Sequence, residues 1–499
     1  MAERPTVGVV HTAARYPREA PFHPHLQYPE YPFGANTVGT EPNAAYDGVR
    51  RLFLTLGLDA ARAGTAGWNP LGTLVQPGMT VVIKPNFVLS RHKKGGDLWS
   101  IITHPSVLRA VADYVWIALH GRGRIVIADA PQYDCDFSEL RREGGLDTLI
   151  AFFASQPGPA FEVRDLRRYW SRRRHQPSML EELPGDPEGT VRVNLGGESC
   201  LANRPSGDLY GASYLRGEVR AHHTGARQEY DLSGTMLRAD AVISVPKLKV
   251  HKKVGVTLNA KGLVGVCTNK NLLVHYTLKP PSAGGDQYPD GHFTPMEERL
   301  VRLERWMYDH LLAPELAPLE WLHRAAYWLH GHTLKPLGIG IPAEKRKLDA
   351  GNWHGNDSAW RMTADLMQVF HFADRDGRLR DTRQRRTFSI IDGVVGGEGE
   401  GPLTPDRRES GVLIGGDNLL ATDLVATRLM GFDPWQIRTY AHLLTADRDL
   451  GVRDPAHIDV RSDTPAYVAC LSDRTQPYLN FAPHPGWVGA IEVARQEAA

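Results

Sequence analysis

Five lysines and one histidine are concentrated between Pro246 and Gly265. This stretch follows directly on an apolar run, Ala241 to Val245, which predicts a buried strand. Open α/β sheets bind ligands beyond the carboxyl ends of their strands, and cations held close together repel one another unless an anion joins them. The stretch therefore predicts a loop that binds a phosphate or a carboxylate.

The residue types in this loop indicate different roles for its side chains. We expect Lys247 and Lys249 to hold the anion and His251 to act as general acid or base, because imidazole titrates near neutral pH. Lys261 would stabilise charge or form a covalent bond, since desolvation among other cations activates an amine. The competing interpretation is a solvated face, but proline, glycine and apolar residues interrupt this run of charges.

A second strand-like run, Thr80 to Ile83, also ends in polar residues. Lys84 and Asn86 follow it and are expected to bind the same anion. Thr103 is expected to cap the next helix, whose first N–H groups would then face the ligand. The substrate-binding residues predicted in these two regions are Lys84, Asn86, His104 and Asn259.

A third run, Phe388 to Ile391, leads into a stretch rich in glycine and acidic residues. The backbone N–H groups of glycines can approach an anion closely, so this stretch is interpreted as an anion-binding loop formed by Gly396, Gly397 and Gly399. Carboxylates favour Mg²⁺ or Mn²⁺, which gives a second hypothesis of divalent-metal phosphate or sugar chemistry. The metal ligands in that hypothesis are Asp129, Asp392, Glu398 and Asp423.

Two further polar stretches have compositions that suit ligand binding. The loop from Asn352 to Asp357 has the composition of a functional loop, and Asn356 and Arg361 are expected to line a pocket. The arginine-rich stretch from Arg164 to Arg174 has the composition for single-stranded nucleic acid or a polyanionic sugar, but a solvated helix is the preferred interpretation. Nucleic acid is not an expected partner.

The composition limits the class of protein. The chain has 499 residues with 58 basic and 57 acidic side chains, so nothing in its overall charge attracts nucleic acid or an anionic membrane. The four cysteines are scattered and form no CxxC pair, which argues against an iron–sulfur cluster and fits a cytoplasmic location. No run reaches the roughly 18 apolar residues of a membrane span.

The order of apolar runs predicts an α/β fold. Strand, helix and strand alternate over Thr80 to Ile83, His104 to Ala118 and Ile125 to Ala128, which predicts mostly parallel, Rossmann-like sheets with helices on both faces. The expected segments are an N-terminal α/β unit (1–160), an Arg/Pro/Gly-rich insertion (161–235), the lysine and histidine segment (236–294), a helical aromatic insertion forming a hairpin (295–350) and a C-terminal α/β unit (351–499).

Several of these motifs together resemble the domain-of-unknown-function family 362. They occur in that family's order across Val81 to Gly431, and two further strings resemble a bacterial branch of it. The resemblance implies a fold and a site but no settled reaction. The motifs are Lys84-Pro-Asn86, Thr103-His-Pro105, Pro246 to Gly262, Asp392-Gly393 with the glycines after it, and Gly416-Asp417 to Asp423.

The spacing of His251 and Lys261 is also similar to the nickel-pincer lactate racemase family. That resemblance implies that Lys261 anchors a nickel-pincer nucleotide, that His251 handles protons and that His275 binds nickel. The chain departs from the racemase pattern at Leu258-Asn259-Ala260, where that family has Ser-Gly-Gly, and a second catalytic histidine is not evident.

Three hypotheses follow from the sequence. The first is an enzyme that acts on a small anionic substrate through Lys84, Lys247, Lys249, His251 and Lys261, with racemase-like chemistry as one form of it. The second is the divalent-metal enzyme, and the third is a non-catalytic protein that binds an anionic metabolite through the same lysines. The sequence leaves the oligomeric state open, including a homodimer.

Overall fold

A mixed β-sheet lies at the centre of the computed structural model, which describes residues 4–172, 180–211, 215–311, 321, 325 and 340–493. The strands of this sheet and of three smaller sheets are, in chain order, β1 (Thr6–His11), β2 (Thr80–Pro85), β3 (Arg124–Asp129), β4 (Ala160–Asp165), β5 (Tyr169–Ser171), β6 (Leu180–Glu182), β7 (Thr190–Asn194), β8 (Leu209–Tyr210), β9 (His223–Thr224), β10 (Arg227–Ser233), β11 (Ala241–Val245), β12 (Lys247–His251), β13 (Gly255–Val256), β14 (Tyr276–Thr277), β15 (Arg386–Glu398), β16 (Asp406–Arg408), β17 (Val412–Gly416) and β18 (Asp459–Ser462). Its α-helices are α1 (Ala44–Leu56), α2 (Pro105–Leu119), α3 (Phe137–Glu143), α4 (Leu146–Ala154), α5 (Arg216–His222), α6 (Gly234–Arg238), α7 (Leu258–Gly262), α8 (Pro295–Leu311), α9 (Ala343–Arg346), α10 (Ala359–Phe372), α11 (Leu419–Leu429), α12 (Arg438–Leu443) and α13 (Pro465–Val468).

The main path of the sheet has the spatial order β18-β1-β17-β15-β11-β2-β3-β4. Neighbouring strands along this path are parallel, apart from the two pairs that include β17. The α/β fold with a mostly parallel sheet, as predicted from the alternation of strands and helices, is confirmed.

Both faces of the sheet are covered, which explains why its strands are continuous apolar runs. Alternate residues of one strand belong to opposite hydrophobic clusters: Val81 and Ile83 pack with α1 and α2, whereas Val82 packs with α10 and α11. A parallel sheet buried on both sides needs this pattern, because successive side chains point to opposite faces. The helices therefore lie on both faces, as expected.

The unit formed by β2, α2 and β3 contains one local correction. The residue that caps α2 is His104, whose Nδ1 accepts the N–H of Ser106 at 3.1 Å. Pro105 occupies the first helical position, which proline favours, so the cap is the residue directly before it. The predicted cap, Thr103, instead donates its hydroxyl to the carbonyl of Val245 at 2.6 Å and accepts the N–H of Asn86 at 2.9 Å. It ties the ends of β2 and β11 together.

The lysine and histidine stretch begins as a strand and not as the predicted loop. After Pro246 the chain continues from β11 into β12, which pairs in parallel with the second half of the long strand β15. Side chains alternate along a strand, so Lys247, Lys249 and His251 share one face while Leu248 and Val250 enter the hydrophobic core on the other. Extended geometry thus places all three polar side chains on the same side.

The arginine-rich stretch is not a solvated helix as far as it is described. Its first part is β4, at the edge of the main sheet, and its next part is β5, which pairs with β6. Arg167 is 2% exposed and its guanidinium bonds Asp165 at 2.6 Å, so this arginine is structural. Arg173 and Arg174 lie outside the described residues.

The predicted aromatic hairpin is described only in part. Its first helix is α8, whose Arg305 bonds the carboxylate of Asp349 at 3.1 Å and thereby attaches the helix to the body of the protein. Tyr327 and Trp328 lie outside the described residues. Within the part of the chain that is described, no helix combines the length and the apolar character that crossing a membrane requires.

The glycine-rich stretch is also a strand where an anion-binding loop was expected. Gly396 and Gly397 belong to β15 and pair with Arg408 and Arg407 of β16. A Cβ atom on Gly397 would lie 2.4 Å from the carbonyl oxygen of Ser100 and 2.9 Å from Pro405. The glycine is there because another part of the backbone packs against it.

We expect Gly397→Ala to lower the free energy of unfolding by about 1–3 kcal/mol, the usual cost of overpacking a filled site. Urea denaturation measures this change. Gly197→Ala is the control, because its Cβ meets no described atom within 4 Å. Equal stability of the two variants would contradict the packing role.

Candidate functional site

A cavity of about 90 Å³ lies beyond the carboxyl ends of β2 and β3, against one side of β12. Its wall consists of Asn86, Val88, Asp129, Ala130, Pro131, Gln132, Lys249, His251, Thr257, Lys261, Gly262, Val264, Gly265, Lys270, Leu273, His275 and Pro402. Six of these residues were singled out in the sequence: Asn86, Asp129, Lys249, His251, Lys261 and His275. Parallel strands end at the same edge of a sheet, which explains why distant parts of the chain meet here.

A buried ion pair forms the floor of this site. Lys84 Nζ lies 3.0 Å from Asp129 Oδ1 and also donates to the carbonyl of Pro85 at 2.7 Å. The other oxygen of Asp129 accepts the N–H of Phe87 at 2.7 Å. A Cβ atom on Gly265 would lie 1.8 Å from Asp129 Oδ1, so only glycine lets the backbone pass so close to the pair. Lys84 is thus already neutralised and does not line the cavity.

Three other lysines reach the cavity wall, and two of them donate to backbone carbonyls. Lys249 Nζ donates to Ile101 at 2.5 Å and to Pro402 at 3.3 Å, while Lys270 Nζ donates to Val264. Burial lowers the pKa of Lys270 to about 8, and burial together with Lys247 lowers that of Lys249 well below its usual value. These lysines are held by dipoles but have no carboxylate partner among their hydrogen bonds.

Lys261 differs from the other buried lysines. It is 6% exposed, and no acceptor among the described residues contacts its ammonium group. Burial and then the charge of Lys270 lower the pKa of Lys261 to about 7. Its amine therefore exchanges a proton near neutral pH, as a group that moves protons or attacks a carbon atom must do.

The two histidines of the wall are held as different tautomers. Nδ1 of His251 accepts the N–H of Lys253 at 3.1 Å, so its ring hydrogen is on Nε2. Nδ1 of His275 lies 2.9 Å from the carbonyl of Leu273 and must donate to it. Burial and the charges of Lys261 and Lys249 lower the pKa of His251 well below its usual value, so the ring is neutral. The ring of His251 can therefore donate a hydrogen bond through Nε2, and that of His275 donates one through Nδ1.

A buried carboxylate positions the helix that carries Lys261. Asp423 accepts the N–H groups of Asn259 and Ala260 at 2.8 and 2.9 Å, and the side-chain amide of Asn259 at 2.7 Å. Leu258, just before them, has φ of +44°, a strained conformation for a branched side chain, so the turn depends on these bonds. Asn259 and Asp423 therefore do not line the cavity; they hold α7 in place.

Some polar atoms of the wall are buried without a partner. Asn86 Oδ1, Gln132 Oε1 and Thr257 Oγ1 are each inaccessible to solvent and make no hydrogen bond with described residues. Buried polar groups are normally satisfied, and exceptions mark sites that bind water or a ligand. These three atoms are thus unsatisfied polar atoms in residues of the cavity wall.

Lys247 belongs to a second buried cluster and not to the cavity wall. Its Nζ bonds Asp392 at 3.0 Å and the hydroxyl of Tyr16 at 2.7 Å, and Tyr16 donates to Asp392 at 2.6 Å. Asp392 also accepts the backbone N–H of His104, whose ring stacks on Tyr16 at 4.0 Å. The cluster is internally satisfied, so Lys247 and His104 have structural roles that leave no place for a substrate.

Three of the five predicted metal ligands lie away from the cavity wall. Asp392 is paired with Lys247, Asp423 holds α7, and Glu398 accepts the N–H of Ala482 at 2.9 Å near Arg408. Asp129 and His275 both line the cavity. Within the described ranges no group of three or more histidine, cysteine or acidic side chains is placed to hold a metal ion.

The remaining predicted residues lie outside the wall. Asn356 accepts the N–H of Ala359 at the start of α10 and donates to the carbonyl of His275 at 3.0 Å, so it supports a cavity residue from behind. Arg361 bonds Asp357 and the carbonyl of Cys200. Gly399 donates its N–H to Ala482 and joins two loops.

Sequence reasoning missed several residues of the wall. Lys270 and Gln132 lie outside the motifs named above, and Thr257 and Gly265 lie in the lysine-rich stretch but were given no role. For Lys270, the signal in the sequence was its position nine residues after Lys261. Gln132 comes three residues after the end of β3, where ligand-binding residues are expected in an α/β sheet.

Replacing Lys261 by methionine should stabilise the empty protein. The pKa of Lys261 is about 7 when folded and near 10.5 when unfolded, so at low pH folding must bury a charge without a partner. We expect Lys261→Met to raise the free energy of unfolding by about 1–4 kcal/mol at pH 6, with the gain shrinking between about pH 7 and pH 10 as the unfolded chain loses its proton.

Urea denaturation across this pH range measures the effect. The control is Lys279→Met, since this lysine is 52% exposed. A gain that does not depend on pH would mean that Lys261 is not buried as a charge.

Comparison with known proteins identifies the central part of the chain. Residues 208–428 match the family model described as Domain of unknown function (DUF362), a shorter range than the motifs covered. No curated protein matches the chain. The match includes Lys249, His251, Lys261 and Lys270, while the similarity to the lactate racemase family has no support in these comparisons. Over residues 208–428 the chain is therefore similar to the domain-of-unknown-function family DUF362, as the motifs predicted.

Proposed function

We propose that this protein is an enzyme that acts on a small carboxylate- or phosphate-bearing substrate by acid–base chemistry in the cavity. The observation that carries the proposal is the imbalance of charge in the wall. Lys249, Lys261 and Lys270 line it, and its one carboxylate, Asp129, is already paired with Lys84. Buried cations without partners are costly, and an anionic ligand would supply the missing charge.

The size of the cavity supports a small substrate. Pockets that enclose drug-sized molecules measure about 300–1,000 Å³, several times the volume of about 90 Å³ found here. A few heavy atoms fit such a space, as in a short carboxylic acid or a phosphate group. A nucleotide, including the nickel-pincer group, does not fit without rearrangement.

The wall supplies groups for moving a proton. The amine of Lys261 is charged or neutral according to small changes near pH 7, and His251 presents an N–H that can hydrogen-bond the substrate. Lys249 and Lys270 would hold the anion, because their ammonium groups are fixed by backbone carbonyls. A non-catalytic binding protein would use the same lysines, so turnover decides between the two.

Binding of an anion should weaken as the pH rises. The pKa values of about 7 for Lys261 and about 8 for Lys270 mean that both lose their charge between pH 6 and pH 9. We expect the affinity for oxalate to fall by roughly tenfold over this range, an effect of about 1.4 kcal/mol. Isothermal titration calorimetry measures it, and oxalate stays fully ionised throughout.

Lys270→Met should weaken oxalate binding and flatten its pH dependence. The exposed Lys279→Met should bind as the wild type does, since its partner is Asp208 on the surface. Affinity that is the same at pH 6 and pH 9, or unchanged in Lys270→Met, would count against the proposal.

Acid–base chemistry should appear as exchange of a carbon-bound hydrogen with solvent. We expect the protein in D₂O to exchange the hydrogen next to the carbonyl or carboxylate in one or more members of a panel of short carboxylic acids, followed by proton NMR. His251→Gln should slow the exchange by roughly 10²–10³-fold, because the N–H of the neutral ring would no longer hydrogen-bond the oxygen on which charge develops while Lys261 takes the hydrogen.

The same variant should still bind oxalate, because His251 is neutral and holds no charge for the anion. Binding without exchange by the wild-type protein across the panel would favour the non-catalytic alternative.

A further inference from the structure

We infer that Lys261 is a nucleophile that forms an imine with a small anion carrying a carbonyl group, such as a 2-oxo acid. This inference rests on the proposed function, since it needs the anion to be held in the cavity, and it adds the substrate class and the bond formed. The evidence is the difference between Lys261 and every other buried lysine of the described residues.

Six lysines are buried in the described parts of the chain: Lys84, Lys247, Lys249, Lys253, Lys261 and Lys270. Five of them donate to oxygen atoms, which are carboxylates for Lys84 and Lys247 and backbone carbonyls for the other three. A lysine that donates hydrogen bonds in this way is stabilised in its protonated form, in which the nitrogen has no lone pair to attack a carbon atom. Lys261 is the exception, because no acceptor among the described residues contacts it.

The position of Lys261 also suits a nucleophile. Asp423 and Asn259 fix the short helix α7, so the strained turn at Leu258 presents the side chain to the cavity in one place. Lys270 lies close enough to disfavour a charge on Lys261 and is itself bound to Val264. A neighbouring cation in a desolvated pocket is a recognised way to keep a lysine amine unprotonated and reactive.

Imine formation can be written with the side chains of the cavity wall and solvent water alone. The neutral amine of Lys261 attacks the carbonyl carbon, forming a C–N bond while the C=O π electrons move to oxygen. One proton passes from nitrogen to that oxygen, a second proton from solvent joins it, and water leaves to give the protonated imine. The N–H of His251 can hydrogen-bond the departing oxygen, while Lys249 and Lys270 hold the anionic group.

The test uses pyruvate as probe with sodium cyanoborohydride, which reduces an imine to a stable secondary amine. Peptide mass spectrometry of the full chain should find the adduct on Lys261, with the mass of pyruvic acid less one oxygen atom, in preference to every exposed lysine. Oxalate should protect against the modification because it occupies the same cavity.

Lys261→Arg is the matched variant, since it keeps the positive charge but cannot form an imine. We expect it to bind oxalate and to lose the adduct, whereas Lys279→Met should keep the adduct on Lys261. Oxalate binding by the wild type without an adduct on Lys261 overturns the inference and leaves the proposed function standing. Absence of both binding and adduct overturns both.

Discussion

The ion pair between Lys84 and Asp129 is the interaction on which the site depends. It joins the carboxyl ends of β2 and β3, and the backbone of Gly265 rests directly on it. Asp129 is thereby the counter-ion of Lys84. The lysines that reach the cavity from other segments then have no carboxylate to pair with, and a low-dielectric interior makes that imbalance costly. The anion binding that we propose for the cavity rests on this pairing of Lys84 with Asp129.

Much of the fold could be predicted from local patterns. Apolar runs that are buried on both faces, with a helix between them, are typical of parallel sheets, and β2, α2, β3 and β11 lie within a few residues of the predicted bounds. The reversed strand β17 was not foreseen, because direction depends on pairing with β1 and β15, and that information is not local.

The site was harder to predict, for a reason that particular residues make clear. Spacing placed Lys249, His251 and Lys261 correctly in one region, but it could not say which lysine already had a partner. Tyr16 is 231 residues away from Lys247 along the chain, yet its hydroxyl and Asp392 satisfy that lysine completely. Partners of this kind come from distant segments of the chain. Only the folded structure therefore shows which lysines already have an acidic partner and which do not.

The alternation of β12 has a consequence for how this chain can change in evolution. The chain passes from the end of β11 through the single residue Pro246 into β12. This connection fixes the register of β12, so that Lys247, Lys249 and His251 share one face. An insertion or deletion of one residue at that junction would turn all three side chains into the hydrophobic core and bring Leu248 and Val250 out into the polar region. A substitution changes one of these side chains at a time, whereas a change of length would move all three at once. We therefore expect relatives to keep the spacing between β11 and β12 even where the residues themselves differ.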